Sequence, residues 1–328
     1  MKTYGNIFEK IISPEALFSA WDEFRKDKRN KPDVLRFEWN LERNIFQLCR
    51  DLKNGSYRHG PYEGFYINDP KRRHIHKATV RDRILHHAIF SAINPIFEET
   101  YIPTSFSCRV GYGTYKGVEI LEKMARNTSR NGTRPCFALK CDIRKFFDSV
   151  NHEILISVLE KRIKDVDIMR LLESVIRSYE SWPGRGIPIG NLTSQLFANV
   201  YMNEFDRFVK HKLKVKNYVR YTDDFVLISE NREYLEKFLP PISEFLENEL
   251  ALNLHPNKII LRKLCQGVDF LGLIIFLKYR LLRTKTKHRI LKKVRKGIKE
   301  QSLQSYLGVL SHANTHNLRE RVLNRLYL

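Results

Sequence analysis

Long apolar runs are missing from this chain of 328 residues: the longest, FLGLIIFL at 270–277, is far too short to cross a bilayer as a helix. Disulfide spacing is missing too. The five cysteines, Cys49, Cys108, Cys136, Cys141 and Cys265, are odd in number and include no CxxC pair, so they read as reduced residues. The opening stretch MKTYGNIFEKIISPEALFSAWDEF carries acids and no apolar core, unlike a secretory signal. Internal repeats and low-complexity segments are also absent. Together these absences predict a cytoplasmic protein with no membrane partner.

Acid is scarce relative to base. Lys and Arg number 58 against 37 Asp and Glu, a formal charge of +21 that exceeds what solubility requires and points to a polyanion, with nucleic acid as the default partner. Hydrophobic residues at 42% and aromatics at 12%, spread along the whole length, exclude overall disorder and allow two or three subdomains.

Residues 6–53 predict two amphipathic helices, with Ser13 and Pro14 as start signal and Asn54-Gly55 as stop. YEGFYIND and KRRHIHKA predict a hairpin bent at Asp69-Pro70, its return arm densely basic. VRDRILHHAIFSAINPIFEE has helical spacing broken near Pro95, and its adjacent His86 and His87 face about 100° apart, which disfavours a shared metal. PCFALKCDIRKFFDSV reads as a strand ending at Asp142, with Lys140 and Asp142 on one face and Cys141 on the other. A helical stretch from His152 to about Ser181, a loop at SWPGRGIPIG and a helix over 191–213 follow. A helix from Arg232 is interrupted at Pro240-Pro241, and FLGLIIF predicts a buried strand. Residues 278–299 hold eleven Lys or Arg and no acid, a basic helical tail.

Chemistry is concentrated in three carboxylates. In KNYVRYTDDFVLISE, apolar residues run up to Asp223 and Asp224 and resume at once, which predicts a hairpin whose tight turn presents both acids. Adjacent carboxylates raise each other's cost of ionisation unless a cation lies between them; otherwise the pair is a plain exposed turn. Asp142 occupies a similar strand end, and antiparallel pairing could bring it to the turn. Nucleotidyl transfer uses carboxylates that hold two Mg²⁺ about 4 Å apart, and the hard oxygens offered here suit that ion.

LKCDIRKFFDSV, GIPIGNLTSQLFANVYMNEFDRF, VRYTDDFVLI, LNLHPNKI and GVDFLGL stand in the order of the palm motifs of reverse transcriptases, and over most of its length the chain resembles that family. The resemblance implies an α+β right-hand polymerase, its antiparallel palm sheet packed on helices. N-terminal helices and fingers would occupy 1–135, a palm 136–277 with a helical insertion at about 151–213, and a basic helical thumb 278–328. It implies an RNA-directed DNA polymerase working by two-metal nucleotidyl transfer with Mg²⁺, Mn²⁺ being a substitute ion. Asp142 and Asp223 would be the principal metal ligands, Asp224 the supporting acid, and Lys258 the general acid toward pyrophosphate, unless it is a plain surface lysine. Lys71 and Arg73 match residues placed on the dNTP triphosphate. Phe147 matches the aromatic plate under the incoming sugar, a steric gate against the 2′-hydroxyl.

Within the family, Ile189 before Gly190 and the close Ser194-Gln195 resemble the reverse transcriptases of diversity-generating retroelements. Most relatives carry Gln at the Ile189 position. Ile189 has no amide to bond near the nascent pair, so Ile189, together with Arg73, bears on fidelity. That resemblance implies mutagenic copying of a template RNA into cDNA, with errors at adenines. It also implies template RNA, primer and dNTPs as partners, with a small basic accessory protein of the retroelement. The alternative is a related bacterial enzyme serving phage defence or another host role.

Overall fold

The computed structural model describes residues 2–68, 71–297 and 300–324. Two compact units divide the chain, each assembled from three segments: Met1–Ile102, Arg144–Arg207 and Phe245–Asn253 in the first, Pro103–Ile143, Phe208–Glu244 and Leu254–Leu328 in the second.

The first unit is mainly helical, with one hairpin. Four helices, not two, fill its start: Phe8–Ile12, Pro14–Arg25, Pro32–Glu38 and Leu41–Lys53. Breaks at Ser13 and Lys31 precede prolines, which disfavour helix in the preceding residue. Ser13 Oγ then accepts from the Ala16 amide as an N-cap. Strands β1 (Glu63–Ile67) and β2 (Arg73–Lys77) pair antiparallel, Ile67 opposite Arg73; the expected bend at Asp69-Pro70 lies outside the described residues.

Helix Val80–Glu98 runs unbroken through Pro95, correcting the expected break. It packs on Pro14–Arg25 and on Leu192–Arg207, which bury Leu17, Trp21, Ile84, Leu85, Ile89 and Val200. At its start Asp82 is fully buried and accepts from Tyr57 Oη at 2.8 Å, Thr79 Oγ1 at 2.6 Å and the Gly60 amide at 3.0 Å. These donors offset the desolvation of the carboxylate. The single helix expected from His152 is two, His152–Glu160 and Val166–Ile176, because Asp165 caps a fresh start through the Asp167 and Ile168 amides.

The second unit carries the main sheet. Strands β3 (Phe137–Asp142), β4 (Tyr218–Tyr221), β5 (Asp224–Ser229) and β6 (Ile260–Lys263) lie in the order β4-β5-β3-β6, every pairing antiparallel. Phe225 to Ile228 are all buried, so β5 reads as a continuous apolar run rather than an alternation. Helix Thr114–Thr128 packs on β4 and β5, and one core joins Val118, Leu121, Val219 and Val226 to Phe270, Leu273, Ile290 and Leu303.

FLGLIIF is not one strand. Leu271 (φ 51°) and Gly272 (φ 91°) turn the chain between β7 (Val268–Phe270) and β8 (Leu273–Ile275). The basic tail likewise opens with a strand, β9 (Arg280–Leu282), before helix Thr284–Arg295. That helix buries Ile290 and Val294 and leaves most of its Lys and Arg exposed. Among the described residues no helix is long and apolar enough to cross a membrane.

Candidate active site

Strand register places Asp142 directly opposite Asp224. Strand β4 hands over to β5 through Thr222 and Asp223, with Tyr221 paired to Asp224 across the turn. The acids expected to meet are thus brought together by two antiparallel pairings in one sheet. A one-residue slip of either would turn a carboxylate to the opposite face. Register is held beyond the ladder: the Ile143 amide donates to the Asp223 carbonyl at 3.2 Å, and the His255 amide to the Asp142 carbonyl at 2.8 Å. Thr222 has φ 55°, a left-handed conformation that costs a β-branched residue roughly 1–2 kcal/mol.

Two lysine ammonium groups already meet these carboxylates. Lys258 Nζ lies 2.8 Å from Asp142 Oδ1, and Lys140 Nζ lies 3.1 Å from Asp224 Oδ2. Lys140 also donates to the Asp269 carbonyl at 2.6 Å, tying Asp224 to β7. Burial pushes the Asp224 carboxyl up to about 7, with Asp142 and Asp223 adding to the rise and Lys140 opposing it. Cys141, on the opposite face as alternation requires, is fully buried, and burial pushes its thiol up to about 12.

Among the described residues no group of three His, Cys, Asp or Glu side chains stands ready-made around a single metal point. The donor set nevertheless suits a hard divalent cation. Asp224 Oδ1 is buried with no hydrogen-bond partner, Asp224 carries the strain of an acid in a dry setting, and Asp142 and Asp223 offer oxygens beside it. An added cation would satisfy the orphaned oxygen and favour the ionised acid.

The remaining sequence candidates lie in the first unit. Lys71 and Arg73 are exposed, Lys71 just before β2 and Arg73 at its start. The same strand touches the Gly-containing loop, where the His76 amide donates to the Ile189 carbonyl at 2.9 Å. Gly190 has φ 110°, and a Cβ there would stand 2.6 Å from Ile75 Cγ2. Gly190→Ala is therefore expected to destabilise the protein by about 1–3 kcal/mol, read as a lowered midpoint in urea unfolding. An unchanged midpoint would show that β2 yields freely. Phe147 is half-buried, its ring 5.4 Å from that of buried Phe146 at 77°, and its carbonyl accepts from the Ile187 amide at 2.8 Å. The structure thus brings Arg73's strand, Ile189, Gly190 and Phe147 to one neighbourhood of this unit.

Sequence reasoning placed Lys140 on the face of Asp142 without giving it a role, and passed over Arg220. Lys140 is two residues before Asp142, so alternation alone puts it on the acid's face. Arg220 lies between Val219 and Tyr221 in an otherwise apolar strand, and a cation in such a run signals a buried charge with dedicated partners.

The antiparallel sheet sets Asp142, at a strand end, opposite Asp224 beside the Asp223 turn, an arrangement that agrees with a nucleotidyltransferase of the polymerase type. The family described as reverse transcriptase (RNA-dependent DNA polymerase) matches residues 67–275, and the chain belongs to it. It is 26% identical over 283 residues to protein YkfC of Escherichia coli K12, covering 74% of this chain and 72% of that one. To the group II intron-encoded protein LtrA of Lactococcus lactis it is 22% identical over 345 residues, covering 83% of this chain and 56% of LtrA. The chain thus spans little more than half of that relative. An apo telomerase structure from Candida tropicalis, truncated from its C-terminal domain, superposes with a TM-score of 0.51 at 13% identity, over 71% of this chain and 59% of that one. That likeness agrees with the α+β right-hand polymerase fold. Reverse transcriptases are RNA-directed DNA polymerases that bind template RNA and primer, and the family generally uses Mg²⁺.

Proposed function

We propose that this chain copies a template RNA into cDNA with Asp142, Asp223 and Asp224 as its metal-binding acids. The observation that carries this reading is the register pairing of Asp142 with Asp224 at the mouth of the Asp223 turn. Mg²⁺ bound by these residues, with Mn²⁺ as substitute, would activate the primer 3′-hydroxyl and stabilise the departing pyrophosphate. Lys258, at 2.8 Å from Asp142, has its ammonium at the acids and serves as proton donor to the leaving group. Lys71 and Arg73 contact the dNTP triphosphate, Arg73 through its planar fork. Fingers, palm and thumb are assigned to 1–135, 136–277 and 278–328, the exposed cations of helix Thr284–Arg295 contacting duplex phosphates. Poly(rA) primed with oligo(dT) tests the activity: template-dependent dTMP incorporation supports it, and none in either metal ion sinks it.

The finer reading is an error-prone enzyme of a diversity-generating retroelement, working in the cytoplasm with a small basic accessory protein. It is supported by the loop GIPIGNLTSQ, in which Ile189 offers no side-chain amide and Gly190 keeps the backbone close to β2. Ile189→Gln is expected to lower misincorporation at template adenines about tenfold, measured by sequencing the cDNA. An unchanged error spectrum would remove Ile189 from fidelity. Neighbouring template and variable repeats in the genome would support the retroelement reading over a defence role.

A further inference from the structure

Arg220 is fully buried in β4, two residues before Thr222. A guanidinium out of water needs partners for its donors. Nη1 donates to the Thr222 carbonyl at 2.9 Å, and Nη2 donates to Ser105 Oγ at 2.9 Å. The backbone of Arg220 is tied to the same neighbouring segment. Its amide donates to the Thr104 carbonyl at 2.9 Å, and its carbonyl accepts from the Phe106 amide at 3.0 Å, which covers the free edge of β4. Two residues further on, Thr222 Oγ1 donates to Ser107 Oγ at 2.6 Å. Arg109 Nη1 in turn holds the Ser105 carbonyl at 2.7 Å.

Thr222 is therefore gripped twice, at its carbonyl by Arg220 and at its hydroxyl by Ser107. It is also the residue whose left-handed backbone is unfavourable for a β-branched side chain, and it immediately precedes Asp223 and Asp224. An unheld Thr222 would relax toward negative φ and swing the peptide that leads into Asp223. Ser105 and Ser107, on a segment remote in sequence, supply the fixed points against which the turn is held.

We propose that Arg220, with Ser105 and Ser107, forms a buried clasp that locks Thr222 in its left-handed conformation and so sets the direction in which Asp223 and Asp224 present their carboxylates. Arg220 is a positioning residue: Nη1 and Nη2 donate to Thr222 and Ser105, and through these contacts it bears on the turn. The inference rests on the assignment of Asp223 and Asp224 to metal binding.

The test is dTMP incorporation on poly(rA)·oligo(dT) by the full chain, titrated with Mg²⁺, with thermal unfolding measured in parallel. Asp223→Asn serves as the control for the metal assignment. Arg220→Met is expected to lower kcat about 10²-fold and raise the Mg²⁺ concentration for half-activation about tenfold, with KM for dTTP within about twofold, since a small misplacement of reacting groups has effects of this size. Thr222→Gly added to Arg220→Met should recover about tenfold of the lost kcat, because glycine takes positive φ without a clasp. An arginine that only stabilised the unit would show its loss in the unfolding temperature and gain nothing from the glycine. If Arg220→Met does not fold, Ser107→Ala carries the test, with an expected fall of about fivefold in kcat and a raised Mg²⁺ requirement. Folded Arg220→Met or Ser107→Ala with the parent's kcat and Mg²⁺ midpoint, or a double variant no better than Arg220→Met, overturns the clasp. An active Asp223→Asn overturns the metal assignment and the clasp with it, whereas inactive Asp223→Asn beside a normal Arg220→Met overturns the clasp alone.

Discussion

Asp223→Asn is expected to abolish DNA synthesis while leaving the fold intact. The amide keeps the side chain's shape, and Asp223 is only half-buried in the turn, so little packing is lost. What disappears is a negative oxygen at the place where Asp142 and Asp224 already converge. Loss of one such preorganised charge should lower kcat by about 10³-fold or more. Lys258 and Lys140 sharpen the expectation, because both ion pairs remain in the variant and the remaining acids then face two ammonium groups with one fewer negative charge. Incorporation of labelled dTMP, together with far-ultraviolet circular dichroism, checks it. Near-normal incorporation by a folded variant would take Asp223 out of the site.

Phe147→Ala is expected to open the enzyme to ribonucleotides. The backbone at Phe147 is pinned through its carbonyl by the Ile187 amide, and Phe146 beside it is buried, so truncation removes a ring without moving its support. Selection of dTTP over UTP, taken as the ratio of kcat/KM values, should fall by about 10³-fold. An unchanged ratio would assign the ring to packing against Phe146 and leave sugar selection to other residues.

The site was legible in the sequence where local rules decide it. Alternation put Asp142 and Lys140 on one face and Cys141 on the other, and the interrupted apolar run around Asp223-Asp224 marked a hairpin turn; both hold in the sheet. Elements shaped by one or two backbone residues were harder to read. Leu271 and Gly272, both at positive φ, split FLGLIIF into two strands, and the turn signal that Gly272 carries was outweighed by the apolar residues on either side of it. Pro95 gave the opposite error, a breaker tolerated inside a helix that ends three residues later at Glu98.

Partnerships remote in sequence were not legible at all. Nothing near Arg220 announces Ser105, and nothing near Asp224 announces that Lys140 will share its ammonium with the Asp269 carbonyl. The expectation that a bound cation would relieve the adjacent acids was likewise incomplete, since Lys140 supplies part of that relief at Asp224 and Lys258 pairs with Asp142 within the protein itself. Asp224 Oδ1, buried without a partner, is the portion of the demand they leave unmet.

The central claim, that the three acids make this chain an Mg²⁺-dependent RNA-directed DNA polymerase, is tested most directly by dTMP incorporation on poly(rA)·oligo(dT) by the purified protein, with Asp142→Asn as its partner measurement. The account predicts incorporation that requires both template and Mg²⁺, is abolished by a chelator and restored by added Mg²⁺, and is lost in Asp142→Asn. Incorporation that survives either the chelator or the Asp142→Asn substitution, or none by the parent chain in Mg²⁺ or Mn²⁺, would contradict it.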